Sequence, residues 1–197
     1  VILHIGSTQA TINGTPAKSI DQVREVVATS SPSMDIQVSS NFERLLFEAT
    51  GRDAAAVRAM MASLAQSGRF SLSSEALSRI RGLFNADRAD EEETAATIRT
   101  TLRETSRLID PHTAVGLAVA EKETRDPAVP MIVLGTAHPA KFPEAVEAAC
   151  GVRPGLPDWL SDLPQRAERS TPMAADQGAL EKFIMAASRA AREGAAA

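Results

Sequence analysis

The sequence predicts an α/β fold that is mostly helical, with few sheet strands in this segment. Several stretches carry apolar residues at helical spacing between capping residues and glycines. In contrast, Pro130–Gly135 (PMIVLG) is a short apolar run ended by glycine, which is typical of a strand buried on both faces. A buried helix precedes this run and a loop and a helix follow it, as at one edge of an α/β sheet. Because too few strands are visible to build a whole sheet, we expect a piece of a larger fold.

Length and composition narrow the class of protein. The 197 residues, 44% of them hydrophobic, suffice for one domain core, or for one core and a small satellite. The net charge is -4, with 21 basic and 25 acidic residues spread along the chain, which argues against nucleic acid or an anionic membrane as the main partner. Cys150 is the single cysteine, and no apolar run approaches the ~20 residues of a membrane span, so we expect a cytoplasmic protein.

Capping residues and glycine stops predict the helices of the first half. Ser40 and Glu43 form a capping box that opens a helix ended by Gly51. Asp53 caps a second helix, which Gly68 ends. The other elements expected here are a strand at Val1–Ile5, a loop at Gly6–Pro16, a helix from Ser19 to about Val27, a helix at Ser74–Phe84 with Leu83 on its inner side, and a helix at Thr94–Leu108.

The second half begins with a strong helix start at Asp110-Pro111, with Asp as N-cap and Pro at the first helical position. The following Ala114–Ala120 is almost wholly apolar, so this helix is expected to be buried on several sides. The remaining expectations are a helix at Pro143–Cys150, an irregular packed connector at Arg153–Gln165, and a last helix at Gly178–Arg192 whose inner face carries Leu180, Phe183, Ile184 and Ala187.

Three polar segments could carry chemistry. Ser30–Arg44 is a dense polar loop, which serves turn and cap chemistry or faces a polar ligand. Asp110–Gly116 (DPHTAVG) needs no function for its N-cap, and a histidine in the first helical turn is more often structural. Leu134–Phe142 (LGTAHPAKF) places polar side chains at the carboxyl end of the predicted strand, where open α/β sheets bind ligands. The sequence shows no zinc-binding or nucleotide-binding motif.

Together, these segments resemble threonine synthase, in the longer form typical of bacteria and fungi. The stretch SPSMDIQVSSNFERLLF at Ser31–Phe47 is similar to the most recognisable segment of that family. DPHTAVG at 110–116 and GTAHPAKF at 135–142 follow in the family's order. The resemblance covers residues 24–197 as the C-terminal part of the catalytic region, and leaves 1–23 as an atypical N-terminal segment of uncertain origin.

The resemblance implies the C-terminal part of a fold-type-II enzyme that uses pyridoxal 5'-phosphate (PLP). That enzyme is a carbon–oxygen lyase acting on phosphates, and it converts O-phosphohomoserine and water to threonine and phosphate. In the family, the lysine that forms a Schiff base with PLP lies upstream of this segment, and none of the four lysines here stands in its context. Thr136 matches the partner of the pyridine nitrogen. The possible active-site neighbours are Ser33, Asp110, His112, His138 and Lys141.

Two functions remain open at this point. The chain is either a piece of a PLP enzyme, inactive alone and dependent on a missing N-terminal part of the same enzyme, or a non-catalytic α-rich interaction domain derived from that enzyme. A lysine in the family's cofactor context, encoded just upstream, would favour the first.

Overall fold

The computed structural model describes residues 28–36, 41–123 and 126–188. The chain divides into two compact units, Val1–Gly155 and Leu156–Ala197. The elements predicted before residue 28, the boundary between residues 23 and 24, and Ser40 lie outside the described residues. None of the helices in the described ranges is long and apolar enough to cross a membrane.

The described part of the first unit is mostly helical, and irregular segments of different lengths join its helices. It also contains two 3-10 turns, Pro32–Met34 and Pro139–Lys141. The α-helices are α1 (Phe42–Ala49), α2 (Ala54–Ser67), α3 (Ser74–Arg81), α4 (Glu91–Thr105), α5 (Pro111–Lys122) and α6 (Pro143–Cys150).

The predicted helix ends are confirmed where capping is local. The Asp53 carboxylate accepts hydrogen bonds from the backbone N–H groups of Ala55 and Ala56, at 2.8 and 3.0 Å. Gly68 ends α2 with a φ of 68°, a left-handed conformation that glycine adopts without steric cost. Gly151 ends α6 in the same conformation.

Helix α4 begins earlier than predicted, at Glu91 instead of Thr94. Asp90 and Glu93 form a capping box: the Asp90 side chain accepts from the Glu93 N–H at 2.8 Å, and the Glu93 side chain accepts from the Asp90 N–H at 3.0 Å. The acidic run is therefore the first helical turn, where the helix dipole favours negative charge.

Two small apolar clusters lie in the described part of the first unit. Helices α1 and α3 pack against each other around Ala49 and Ile80. Helix α4 packs against both α5 and α6, and this second cluster is centred on Ile98, Ala114 and Val146. Helix α5 is buried at seven of its twelve residues, which confirms its predicted central place: Pro111, His112, Ala114, Val115, Ala118, Val119 and Ala120.

The strand predicted at Pro130–Gly135 is wrong for this structure. The segment has no regular secondary structure, and Ile132 and Leu134 are 78% and 76% exposed. Its other side lies on α5, because a Cβ placed on Gly116 would come within 3.5 Å of a Val133 methyl carbon. A strand requires hydrogen-bonded neighbours, and none of the described residues pairs with this segment.

Two further burial expectations are also wrong. Helix α3 ends at Arg81, so Leu83 lies beyond the helix and is exposed. In the second unit, 3-10 turns at Asp158–Leu160 and Leu163–Gln165 form the predicted irregular connector, but Trp159 is exposed instead of packed. The last helix, α7 (Gln177–Ala187), has no buried residue, and its expected inner face is exposed at Leu180, Phe183, Ile184 and Ala187.

Candidate functional site

The described beginning of the first polar segment, residues 29–36, is attached to the start of α4. The Asp35 carboxylate accepts from both the N–H and the hydroxyl of Thr29, each at 2.7 Å, which closes the loop around the Pro32–Met34 turn. Ser30 donates from its backbone N–H and its hydroxyl to the two carboxylate oxygens of Glu91, both at 3.1 Å. These bonds hold the loop in one place beside the helical core.

The second polar segment is centred on the Asp110 carboxylate, which is completely buried, at 0% exposure. One of its oxygens accepts from the backbone N–H of His112 at 3.0 Å, which is the N-cap bond of α5. The same oxygen lies 2.9 Å from Nδ1 of His112, and the other oxygen accepts the hydroxyl of Thr113. A buried carboxylate is stable only with such partners, and Asp110 has three.

His112 joins this carboxylate to the first segment. The backbone N–H of Ser33 donates to Nε2 of His112 at 3.2 Å. Because a backbone N–H can only donate, Nε2 is the acceptor, so the proton of the neutral ring is on Nδ1 and points to Asp110. His112 is only 6% exposed, and the Phe142 ring covers it, with 4.6 Å between the ring centroids. The imidazole is therefore fixed in one tautomer.

Thr113 joins the same carboxylate to the third segment. Its hydroxyl oxygen accepts the backbone N–H of Thr136 at 3.3 Å. The Thr136 side chain is exposed, and its hydroxyl makes no hydrogen bond to another described residue. The backbone of Thr136 is thus anchored while its side chain stays available to a ligand.

His138 and Lys141 lie on the same segment just after Thr136. Nδ1 of His138 accepts the N–H of Ala140 at 3.2 Å and so caps the Pro139–Lys141 turn. Lys141 is exposed, and its Nζ lies 5.9 Å from the centroid of the Phe142 ring. Both residues present polar groups to solvent, and neither is bonded to Asp110 or to its partners in the described ranges.

The structure therefore unites four of the six predicted site residues in one chain of contacts: Ser33, His112, Asp110 and Thr136. Thr113 completes this series of contacts, although the sequence analysis did not single it out. The one signal for it in the sequence is its position three residues after the N-cap Asp110, which places its side chain near the cap. Phe142 had no such signal. Among the residues described, no group of His, Cys, Asp or Glu could hold a metal ion.

Solved structures share this architecture. The structure of PLP-bound threonine synthase from Brucella melitensis matches with a TM-score of 0.76 and 53% sequence identity, over 88% of this chain and 37% of that chain. Threonine synthase from yeast matches with a TM-score of 0.70 and 29% identity, over 85% of this chain and 38% of that chain. The fold is that of the C-terminal part of a PLP-dependent fold-type-II enzyme, mostly helical in this segment.

Sequence relatives of this chain include threonine synthases as well. The model of the threonine synthase C-terminal region matches residues 113–184. Threonine synthase from Pseudomonas aeruginosa is 44% identical over 155 residues, which cover 78% of this chain and 33% of that protein. The chain is related to the threonine synthases and matches their C-terminal portion. It spans about a third of the length of the threonine synthases from Pseudomonas aeruginosa and Methylobacillus glycogenes.

Proposed function

We propose that this chain is the C-terminal part of a cytoplasmic, PLP-dependent threonine synthase. The complete enzyme would act as a carbon–oxygen lyase on O-phosphohomoserine, with water as co-substrate and threonine and phosphate as products. An N-terminal part of the same enzyme would supply the catalytic lysine and the cradle for the cofactor phosphate. The chain alone would be inactive.

The convergence of three polar segments on Thr136 is the observation that carries this proposal. Ser33, His112 and Asp110 come from two distant segments, and their contacts end at the backbone of Thr136 through Thr113. A hydrogen-bond network that served stability alone would not need to end at a residue with an exposed polar side chain. This one holds the backbone of Thr136, a residue that is itself exposed.

The chemistry of Thr136 fits the pyridine ring of PLP. PLP, when bound, serves as the electron sink for carbanion chemistry. A hydroxyl can donate one hydrogen bond to the ring nitrogen without transferring a proton. A carboxylate at that position would favour the protonated ring and a stronger electron sink. Thr136 would therefore moderate the sink and favour the normal path over side reactions.

The other site residues have supporting roles in this proposal. Ser33, Asp110 and His112 would fix the loops that border the cofactor. His138 and Lys141 would lie at the edge of the site, where the exposed ammonium group of Lys141 would attract the anionic substrate. The exposed Ile132 and Leu134 would pack within the sheet of the complete enzyme.

The experiment uses a joined enzyme, in which the N-terminal portion of the Brucella melitensis threonine synthase is fused to residues 24–197 of this chain. Phosphate release from O-phosphohomoserine is measured together with PLP retention. We expect activity in the joined enzyme, and a clear loss of turnover with weaker PLP retention in Thr136→Val. Loss of one hydrogen bond should weaken PLP binding about twofold to tenfold. The matched control is Thr97→Val, which removes an α4 hydroxyl bonded to the Glu93 carbonyl.

The isolated chain provides the second arm. Mixed with PLP, it should form no stoichiometric covalent adduct that depends on one lysine. An inactive joined enzyme that is folded and retains PLP would contradict the proposed activity and would favour the interaction domain. Full activity in Thr136→Val would remove Thr136 as the ring partner, and His138 or a residue outside this chain would become the better candidate.

A further inference from the structure

We propose that Thr113 is the positioning residue that sets where the Thr136 hydroxyl stands in the cofactor site. The inference rests on the proposed function, in which Thr136 meets the pyridine ring. Thr113 would not touch the cofactor. It would act through the backbone of Thr136, and the buried Asp110 carboxylate would act through Thr113.

The direction of the Thr113 hydroxyl supports this role. A threonine hydroxyl has one proton to donate and two lone pairs to accept. The proton is directed to Asp110, because the carboxylate oxygen is the acceptor in that bond. The lone pairs are thereby turned outward, and one of them accepts the Thr136 N–H at 3.3 Å. Without Asp110, the hydroxyl could rotate and donate elsewhere.

The Asp110 carboxylate is itself held firmly. It has no solvent exposure, it caps α5 through the N–H of His112, and the His112 ring donates to it from Nδ1. The buried start of α5 fixes the Cα positions of all three residues. The Thr113 hydroxyl is thus a fixed acceptor, and the position of the Thr136 backbone depends on it.

Gly135, the residue before Thr136, also lies near Thr113. A Cβ placed on Gly135 would come within 3.9 Å of the Thr113 hydroxyl oxygen. That separation is an ordinary van der Waals distance, so the chain runs past the Thr113 hydroxyl just before its next residue, Thr136, donates to that hydroxyl.

The direct test is the Thr136 amide in the 197-residue chain without PLP. Thr113→Val removes the acceptor and keeps the shape, whereas Thr113→Ser keeps the hydroxyl. By NMR, Thr113→Val should shift the Thr136 amide proton upfield and speed its hydrogen exchange about twofold to tenfold. Thr113→Ser should restore both values, and Thr97→Val should change neither.

The functional test is a double-mutant cycle in the joined enzyme. Thr113→Val should weaken PLP binding about twofold to tenfold, and Thr113→Ser should restore it. In a Thr136→Val background, Thr113→Val should have little further effect, because its influence passes through Thr136. A merely structural Thr113 would weaken binding equally in both backgrounds.

The outcomes separate the two proposals. If Thr136→Val leaves PLP binding unchanged, the proposed role of Thr136 fails, whatever Thr113 does. If Thr136→Val weakens binding but Thr113→Val does not, the positioning role is overturned and the proposed function stands. The positioning role would also be overturned if the NMR shift of the Thr136 amide proton did not change in a folded Thr113→Val chain. If Thr113→Val does not fold, Thr113→Ala and the serine variant supply the same comparison.

Discussion

Nε2 of His112 accepts the backbone N–H of Ser33 at 3.2 Å, across 79 positions of sequence. This bond is the point at which the early polar loop meets the helical core. It also fixes the ring tautomer, and so determines that Asp110 receives a proton donor from the imidazole. The stability of the site and its geometry therefore depend on the same few polar groups.

Replacement of Asp110 by alanine should destabilise the fold more than loss of an ordinary N-cap. An N-cap is worth about 0.5–2 kcal/mol. Asp110→Ala also leaves the buried Nδ1–H of His112 and the Thr113 hydroxyl without an acceptor. We expect a total loss of about 2–4 kcal/mol in the free energy of unfolding, measured by urea denaturation.

Asp53→Ala is the matched control, because Asp53 is also an aspartate N-cap, with two backbone bonds, but is exposed. It should cost about 0.5–2 kcal/mol. Equal losses for the two variants would mean that the buried partners of Asp110 contribute nothing beyond the cap.

Glu93, which pairs α4 with α5, should make the free energy of unfolding depend on pH in the acidic range. The pKa of Glu93 is lowered from its usual 4.5, first by the hydrogen bond from Lys122 and then by the backbone N–H of Asp90. A lowered carboxyl pKa means that the stabilisation is complete above pH 4.5 and is lost as the pH falls through the lowered pKa. Lys122 also donates to the carbonyl of Arg88, at 2.7 Å.

The pair is partly exposed, so its contribution is modest. Glu93→Gln should lower the free energy of unfolding at pH 7 by about 0.2–1 kcal/mol. The difference between Glu93→Gln and the parent chain should shrink as the pH falls through the lowered pKa of Glu93. The exposed Glu92 lies in the same helical turn, and Glu92→Gln controls for the helix dipole. A difference that stays constant with pH would show that the ion pair is not its source.

Local signals allowed most helix ends to be predicted from the sequence. Asp53 caps residues two and three positions later, and Gly68 ends the same helix, so both signals lie within a few residues of their effect. Burial was predicted less well. Ile132 and Leu134 are apolar, but whether they are buried depends on partners that are distant in sequence. Hydrophobic periodicity and amino-acid composition do not identify those distant partners.

The site residues show the same contrast between local features, which the sequence predicts, and long-range contacts, which it does not. Polar composition and resemblance identified Asp110, His112 and Thr136, each within its own segment. The bond from Ser33 to His112 and that from Thr136 to Thr113 connect segments that only the fold brings together. The identity of the connecting residue was therefore not predictable from spacing alone.

Gly116 gives a test of the contact between α5 and the extended segment. A Cβ at Gly116 would lie 3.5 Å from the Val133 methyl carbon, which is an ordinary contact distance. Gly116→Ala should therefore be accommodated, and should stabilise α5 by about 0.5–1 kcal/mol because alanine favours helix more than glycine does. Gly116→Leu should instead displace Val133 and lower the melting temperature. A destabilising alanine would indicate closer packing than the structure has.

Segment 131–134 is only partly covered by the described part of the chain. Its backbone makes no hydrogen bond to the described residues, and Ile132 and Leu134 face solvent. In the isolated 197-residue chain, these four amides should exchange with solvent quickly, while amides in Val115–Val119 of the buried helix α5 should be protected. The chain should also bind an apolar dye, because contiguous exposed apolar surface attracts such probes.

The same amide-exchange and dye-binding measurements on the joined enzyme provide the comparison. If the N-terminal part supplies neighbouring strands, the Met131–Leu134 amides should become protected there and dye binding should fall, because each strand neighbour supplies backbone acceptors and covers apolar area. Ile132→Ser should reduce dye binding by the isolated chain with little change in its stability, since the side chain is already 78% exposed. The same substitution should destabilise the joined enzyme, where it would place a hydroxyl within an apolar sheet face. Strong protection of Met131–Leu134 in a monomeric isolated chain would show that the chain covers this segment by itself.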